Sequence, residues 1–171
     1  MPGLGPARAS AFFGEGGFAV EPRIDFRTAA PGAFNAMLGL EEYVRGSEFE
    51  PALLELVRTR ASQLNRCGYC LDMHTKDARA GGETEQRLYA LSAWRETPFY
   101  TPRERAALAW TEALTLISRD PVSDELYAEV RAEFGEKELA DLTLAIVAIN
   151  GWNRLAVGMR TVPGSYRGKE G

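Results

Sequence analysis

The stretch Asn65-Arg66-Cys67-Gly68-Tyr69-Cys70-Leu71-Asp72-Met73-His74 gathers both cysteines and the one histidine of 171 residues into eight consecutive positions. Two thiols at Cys-x-x-Cys spacing can close a small disulfide, and a histidine four residues after the second thiol lies one helical turn beyond it on the same face. That layout suits redox chemistry. A thiol is a poor nucleophile until it loses its proton, and an ordinary pKa of about 8.5 leaves only a few per cent thiolate at neutral pH. Placing Cys70 in the first turn of a helix aims backbone N–H groups and the positive end of the dipole at its sulfur. His74 can then take or return the proton, or hold the thiolate as imidazolium. Cys67 stands just outside the helix, so the pair is asymmetric. In one division of labour Cys70 attacks an oxidant to give a sulfenic acid and Cys67 condenses with it to the disulfide. In the opposite one an exposed Cys67 exchanges disulfides with a partner, and the spacing alone leaves both open.

Two plainer readings use the same residues. Cys67, Cys70 and His74 could ligate zinc, but a closed structural site needs a fourth ligand and the chain has no other Cys or His, so Glu55 or Asp72 would have to serve. The thiols could also be inert core residues, which leaves their co-location with the sole histidine without a reason. No metal is therefore expected. No nucleotide-cradling glycine loop or flavin fingerprint is present, so no bound organic cofactor is expected and any reductant must come from outside.

The elements that position this stretch read as helices. From Pro31 onward there is no period-two alternation, and apolar stripes predict seven helices at about 32–45, 51–65, 70–80, 84–95, 102–117, 124–134 and 136–160. Thr101-Pro102-Arg103-Glu104 carries a cap, a first-position proline and a capping-box glutamate, followed by an apolar face at Ala106, Ala109, Trp110, Ala113 and Ile117. Gly81-Gly82 and Gly135 suit helix ends. In the last helix Leu139, Leu142, Leu144, Ile146, Val147 and Ile149 leave hardly any polar face, which implies burial within the fold or between subunits. Trp94 and Trp110 read as core. Residues 1–30, rich in Gly and Pro, suggest an extended arm that packs through Phe12, Phe13, Phe18 and Phe26; 31–162 form a single all-α domain, and 163–171 a tail.

Bulk properties narrow the partners. A hydrophobic share of 45%, a charged share of 26% and a net charge of −4 describe an ordinary globular chain without the basic patch that nucleic acid or an anionic membrane would favour. No run approaches the roughly 18 to 20 apolar residues of a membrane span, and the first residues lack a leader's pattern, so a cytoplasmic protein is expected.

At these residues the chain resembles the alkylhydroperoxidase D-like (AhpD-like) branch of the carboxymuconolactone decarboxylase superfamily. The likeness runs through Glu55-Leu56-Val57-Arg58-Thr59-Arg60-Ala61-Ser62, Asn65-x-Cys67-x-Tyr69-Cys70-x-x-x-His74, Ala78-Arg79-x-Gly81, Trp94-Arg95 and Arg103-Glu104-Arg105-Ala106-Ala107-Leu108. Ile149-Asn150-Gly151-Trp152-Asn153-Arg154 resembles a signature of one small-protein subgroup. The resemblance implies an all-helical fold with the Cys-x-x-Cys at the start of a central helix, and a homo-oligomer. It further implies reduction of organic hydroperoxides, or of hydrogen peroxide, with reductant from a lipoyl protein, a thioredoxin-like protein or a small thiol. By the same resemblance Cys70 is the peroxidatic thiol, Cys67 the resolving one, His74 the proton shuttle and Glu55 the base. Read without it, Glu55 lies off the Leu53, Val57, Ala61, Leu64 stripe and is expected to be solvated. Tyr69 could donate to a bound peroxide or simply pack. Asn150, Trp152, Asn153 and Arg154 read as core or subunit contacts. Superfamily members that decarboxylate a lactone generally lack the cysteine pair, which counts against that activity here. The remaining alternative is disulfide exchange or redox sensing without peroxidase turnover.

Overall fold

The computed structural model of the chain describes residues 21–168, and among them there are helices and no strands. In order these are α1 (Phe26–Ala29), α2 (Pro31–Gly46), α3 (Pro51–Leu64), α4 (Gly68–Ala80), α5 (Glu85–Ala90), a 3₁₀ segment (Leu91–Glu96), α6 (Pro102–Thr115), α7 (Asp124–Glu133) and α8 (Glu136–Met159). Proline at the start of α2, α3 and α6 sets the first φ and gives up only an N–H that no helix uses. Thr101 and Glu104 close the expected capping box, with Thr101 Oγ1 accepting from Glu104 N at 3.2 Å and Glu104 Oε2 from Thr101 N at 2.8 Å.

α3 runs through the middle, packed against α4, α6 and α8. Its Leu53, Leu54 and Val57 join Val44, Phe49, Trp110, Val130, Phe134, Leu142 and Ile146 in one core, while Leu56 joins Leu91, Trp94, Tyr100 and Leu108 in a second. Both expected core tryptophans are buried. By length and composition only, α8 could cross a membrane, although no unbroken apolar run near the roughly 18 to 20 residues of a span occurs in it. Its buried residues nevertheless pack against α2, α3, α6 and α4, and they include Asp141, Asn150 and Asn153, so here it is a core helix. At Gly151 an added Cβ would lie 2.9 Å from Met37 Cε, so a side chain there would push aside the end of Met37 where α2 meets α8.

Several sequence expectations are corrected. The helix expected at 84–95 gives way after Ala90 to the 3₁₀ segment, which is itself kinked at Ala93 (φ −121°, ψ 31°), where Trp94 turns inward to donate its indole N–H to Glu112. α6 ends at Thr115 and Ile117 is exposed. Its buried side is Ala107, Leu108, Trp110, Thr111 and Thr115, because α6 is gripped between α3 on one side and α7 and α8 on the other, and Thr111 satisfies its hydroxyl on Ala107 O. Gly135 adopts φ −63° and caps the start of α8 rather than ending α7 in the left-handed region. The expected arm, with Phe12, Phe13 and Phe18, lies outside the described residues up to position 20. Its last part forms α1, where Phe26 meets Phe34 edge-on and Phe34 meets Trp152.

Candidate active site

The site begins with the way α3 stops. Arg66 sits in the left-handed region (φ 56°), its N–H reaching Gln63 O at 3.2 Å, while Cys67 N reaches Ser62 O at 3.0 Å. This is the paired closure that usually uses glycine at the left-handed position. Holding an arginine there costs about 1 kcal/mol. The turn is fastened from below. Asn65 Nδ2 donates to Asn150 Oδ1 and Asn153 Oδ1, both at 2.9 Å, and Asn153 Nδ2 donates to Ser62 Oγ at 3.0 Å. Asn150 and Asn153, read from sequence as core or subunit contacts, therefore hold the peptide that presents Cys67.

α4 starts two residues earlier than expected, with Cys67 itself as the N-cap: its sulfur accepts from Cys70 N at 3.3 Å. Cys70 occupies the first turn, as the spacing requires, and the two cysteines are joined as a disulfide with Cα atoms 5.3 Å apart. Cys67 is as buried as Cys70, each 1% exposed, so the reading that left Cys67 exposed is corrected. The turn that brings Cys67 onto α4 also tucks it under the chain.

His74 lies one turn further on and is buried. Its Nδ1 is 2.8 Å from Glu55 Oε2, and its Nε2 is buried without a hydrogen-bond partner. Glu55 is 13% exposed in its side chain, which corrects the solvated reading made from α3 alone. Its other oxygen accepts from Arg58 Nη1 at 2.9 Å, and Arg58 Nη2 also binds Glu41 at 2.8 Å, so a cation paid into the same pocket offsets the buried carboxylate. Burial pushes the Glu55 carboxyl up, but the hydrogen bond and charge of His74, then those of Arg58, outweigh it and hold it below the ordinary value. Tyr69, between the cysteines, is half-buried.

Sequence reasoning missed two groups. Asp77, one turn beyond His74, offers an oxygen within 4.8 Å of ligating atoms of both Glu55 and His74. Tyr166, in the segment expected to be a tail, donates to the Asp77 carboxylate, at 2.9 Å from Oδ1 and 3.0 Å from Oδ2. The i, i+3 step from His74 to Asp77 was visible in the sequence; nothing local marked Tyr166. These carboxylates are already engaged, Glu55 by His74 and Arg58 and Asp77 by Tyr166, so the group reads as two hydrogen-bonded sets lying side by side. Both sulfurs of the zinc reading are bonded to each other.

The chain matches the carboxymuconolactone decarboxylase family over residues 31–113. It is 45% identical over 137 residues, 80% of this chain and 93% of the relative, to the uncharacterized protein YdfG of Bacillus subtilis. The chain belongs to the carboxymuconolactone decarboxylase family. Among solved structures, a protein of unknown function from Agrobacterium tumefaciens, described as a candidate antioxidant defence protein AhpD, superposes with a TM-score of 0.83. It is 42% identical, and the match covers 85% of this chain and all of that one. The debrominase Bmp8 shares the fold at 18% identity with a TM-score of 0.69, over 81% of this chain and 74% of its own. This is an AhpD-like member of the family, with an all-helical fold and the Cys-x-x-Cys pair at the head of a helix in disulfide contact.

Proposed function

We propose that the protein is a thiol peroxidase that reduces organic hydroperoxides or hydrogen peroxide through Cys67 and Cys70. The observation that carries this reading is the buried line from the disulfide to His74 and Glu55: a first-turn cysteine, an imidazole one turn on with a free Nε2, and a carboxylate fixing its Nδ1. Glu55 holds the ring in the tautomer with the proton on Nδ1, which leaves Nε2 able to take the thiol proton.

In the reduced protein the Cys70 thiolate attacks one oxygen of the hydroperoxide and the O–O bond breaks. The alkoxide leaves as the alcohol, taking the proton His74 holds, and Cys70 becomes a sulfenic acid. The Cys67 sulfur attacks the Cys70 sulfur, the S–O bond breaks and water leaves. An external dithiol then returns two electrons and two protons, ending as its own disulfide. Sulfurs only 1% exposed are better reached by a hydroperoxide, or by a slender dithiol such as a lipoyl arm, than by the face of a folded partner, which favours peroxide reduction over protein disulfide exchange.

The test is to add an organic hydroperoxide to the reduced protein and follow free thiols and intact mass, then add dihydrolipoamide and follow peroxide. Loss of both thiols as a two-proton mass decrease, with continuing peroxide consumption, is the expected result. Inert thiols, or oxidation without turnover, would overturn it.

A further inference from the structure

The C-terminal segment after α8 crosses α4 and is tied to it at three places. Gly164 N donates to Asp72 Oδ2 at 3.0 Å, Lys76 Nζ donates to Tyr166 O at 3.0 Å, and Tyr166 Oη donates to Asp77. Lys76 is itself paired with Asp72 at 2.8 Å. These bonds deliver one phenol to one carboxylate, and that carboxylate stands beside the His74–Glu55 pair.

We propose that Asp77 and Tyr166 are positioning residues for His74: the Asp77 anion sets how tightly the imidazole holds its proton, and the Tyr166 hydroxyl disperses that anion's charge so that Glu55 remains the group paired with Nδ1. This rests on the reading of His74 as the proton carrier for Cys70.

Charge accounting favours it. Among the described residues the groups on the elements around His74 include Glu55 and Arg58 on α3, Glu41 on α2, Tyr69, Asp72, Lys76, Asp77 and Arg79 (paired with Glu85) on α4, Arg154 on α8, and Tyr166 on the strap. Arg58 is engaged by Glu41 and Glu55, Lys76 by Asp72, and Arg154 by Asn150. Among the described residues Asp77 has instead a neutral partner, Tyr166, which leaves its negative charge in place beside His74. The phenol is suited to this. Burial first, then the hydrogen bond and charge of Asp77, with smaller pushes from Glu55 and Tyr69, raise Tyr166 to about 12, so it remains a donor throughout the working range. A cationic partner would cancel the field; an apolar neighbour would leave Asp77 to compete with Glu55 for the ring proton.

The test uses the fact that the chain contains a single histidine, so its ring protons are identified in an NMR spectrum without assignment. The ring of the reduced protein is titrated in the wild type, Tyr166→Phe, Asp77→Asn and the double variant. Removing a neighbouring anion moves a titration by about one unit, and removing a donor to that anion moves it by about half a unit the other way. The expected result is that Asp77→Asn lowers the pH midpoint of the ring and Tyr166→Phe raises it, while the double variant follows Asp77→Asn. Midpoints unmoved, or shifted in the same direction by both single variants as simple loosening of the strap would give, overturn the proposal. So does a Tyr166→Phe shift that persists without Asp77. No hydroperoxide enters the measurement. A protein with the opposed shifts but no peroxide turnover keeps this arrangement and loses the peroxidase reading, and the reverse pattern loses this arrangement alone.

Discussion

Glu55→Gln isolates the charge from the shape of the buried pair. Glutamine occupies nearly the same volume, and Arg58 keeps its 2.8 Å bond to Glu41, so α2 and α3 stay tied. What disappears is the negative charge at the 2.8 Å contact to His74 Nδ1 and at the 2.9 Å pair with Arg58. A hydrogen bond to a charged group contributes roughly 1.5 to 3 kcal/mol. At about 1.4 kcal/mol per factor of ten, that weakens the ring as a proton acceptor by about 10- to 100-fold. If His74 takes the Cys70 proton, the rate of thiol oxidation at neutral pH should fall by about 10- to 100-fold. The assay is a single turnover of reduced protein with an organic hydroperoxide by stopped flow from pH 5 to 10, with melting followed in parallel. The gap between variant and wild type should narrow above about pH 9, where a thiol ionises without help. A neutral-pH rate within twofold of the wild type in a folded variant would refute the reasoning and leave activation to the helix terminus alone.

Other outcomes follow from the same structure. Cys70→Ser should abolish hydroperoxide turnover, and Cys67→Ser should leave a sulfenic acid on Cys70 that a dimedone adduct reveals by mass; full turnover in Cys70→Ser would contradict the assignment. Asn153→Ala removes one buried and one part-buried hydrogen bond and some volume beneath the Cys67 turn, for a loss of about 2 to 4 kcal/mol in urea unfolding. Its cycle with Ser62→Ala should show a coupling of about 1 kcal/mol, and strict additivity would mean that the Asn153–Ser62 bond does not form. Glu55 and Glu112 both sit below their ordinary value of 4.5: burial raises each, but His74 and Arg58 outweigh it at Glu55, and Arg95, Trp94 and Arg60 at Glu112. Folding thus weakens proton binding at both, so their stabilisation is full above about pH 4.5 and is lost as pH falls through the lower folded values. Denaturant midpoints from pH 6 to pH 3 should therefore fall less steeply in Glu55→Gln than in the wild type; parallel curves would count against the depressed carboxylate.

Much of the architecture was legible because it is local. Thr101 to Glu104 specifies a helix start through contacts no more than three residues apart, and apolar spacing marked α2, α3, α4, α7 and α8 to within a few residues. Cys67, Cys70 and His74 share one helix turn and its approach, so their alignment followed from 3.6-residue periodicity. The 3₁₀ segment and its kink at Ala93 were not legible, because there Glu112 on another helix accepts from Trp94. Gly135 misled for a related reason: a glycine between two helices can end one or cap the next, and Glu138 settles which.

The sequence by itself determined the cysteine pair, its helix-terminal setting and the histidine one turn away, since backbone geometry fixes neighbours within a turn whatever the rest of the chain does. Only the tertiary structure decided that Glu55 is buried against His74, that Asn150 and Asn153 hold the Cys67 turn, and that Tyr166 reaches Asp77 from 89 residues away. Those are contacts between helices, and a carboxylate or an amide carries no local mark of the partner that will make its burial tolerable.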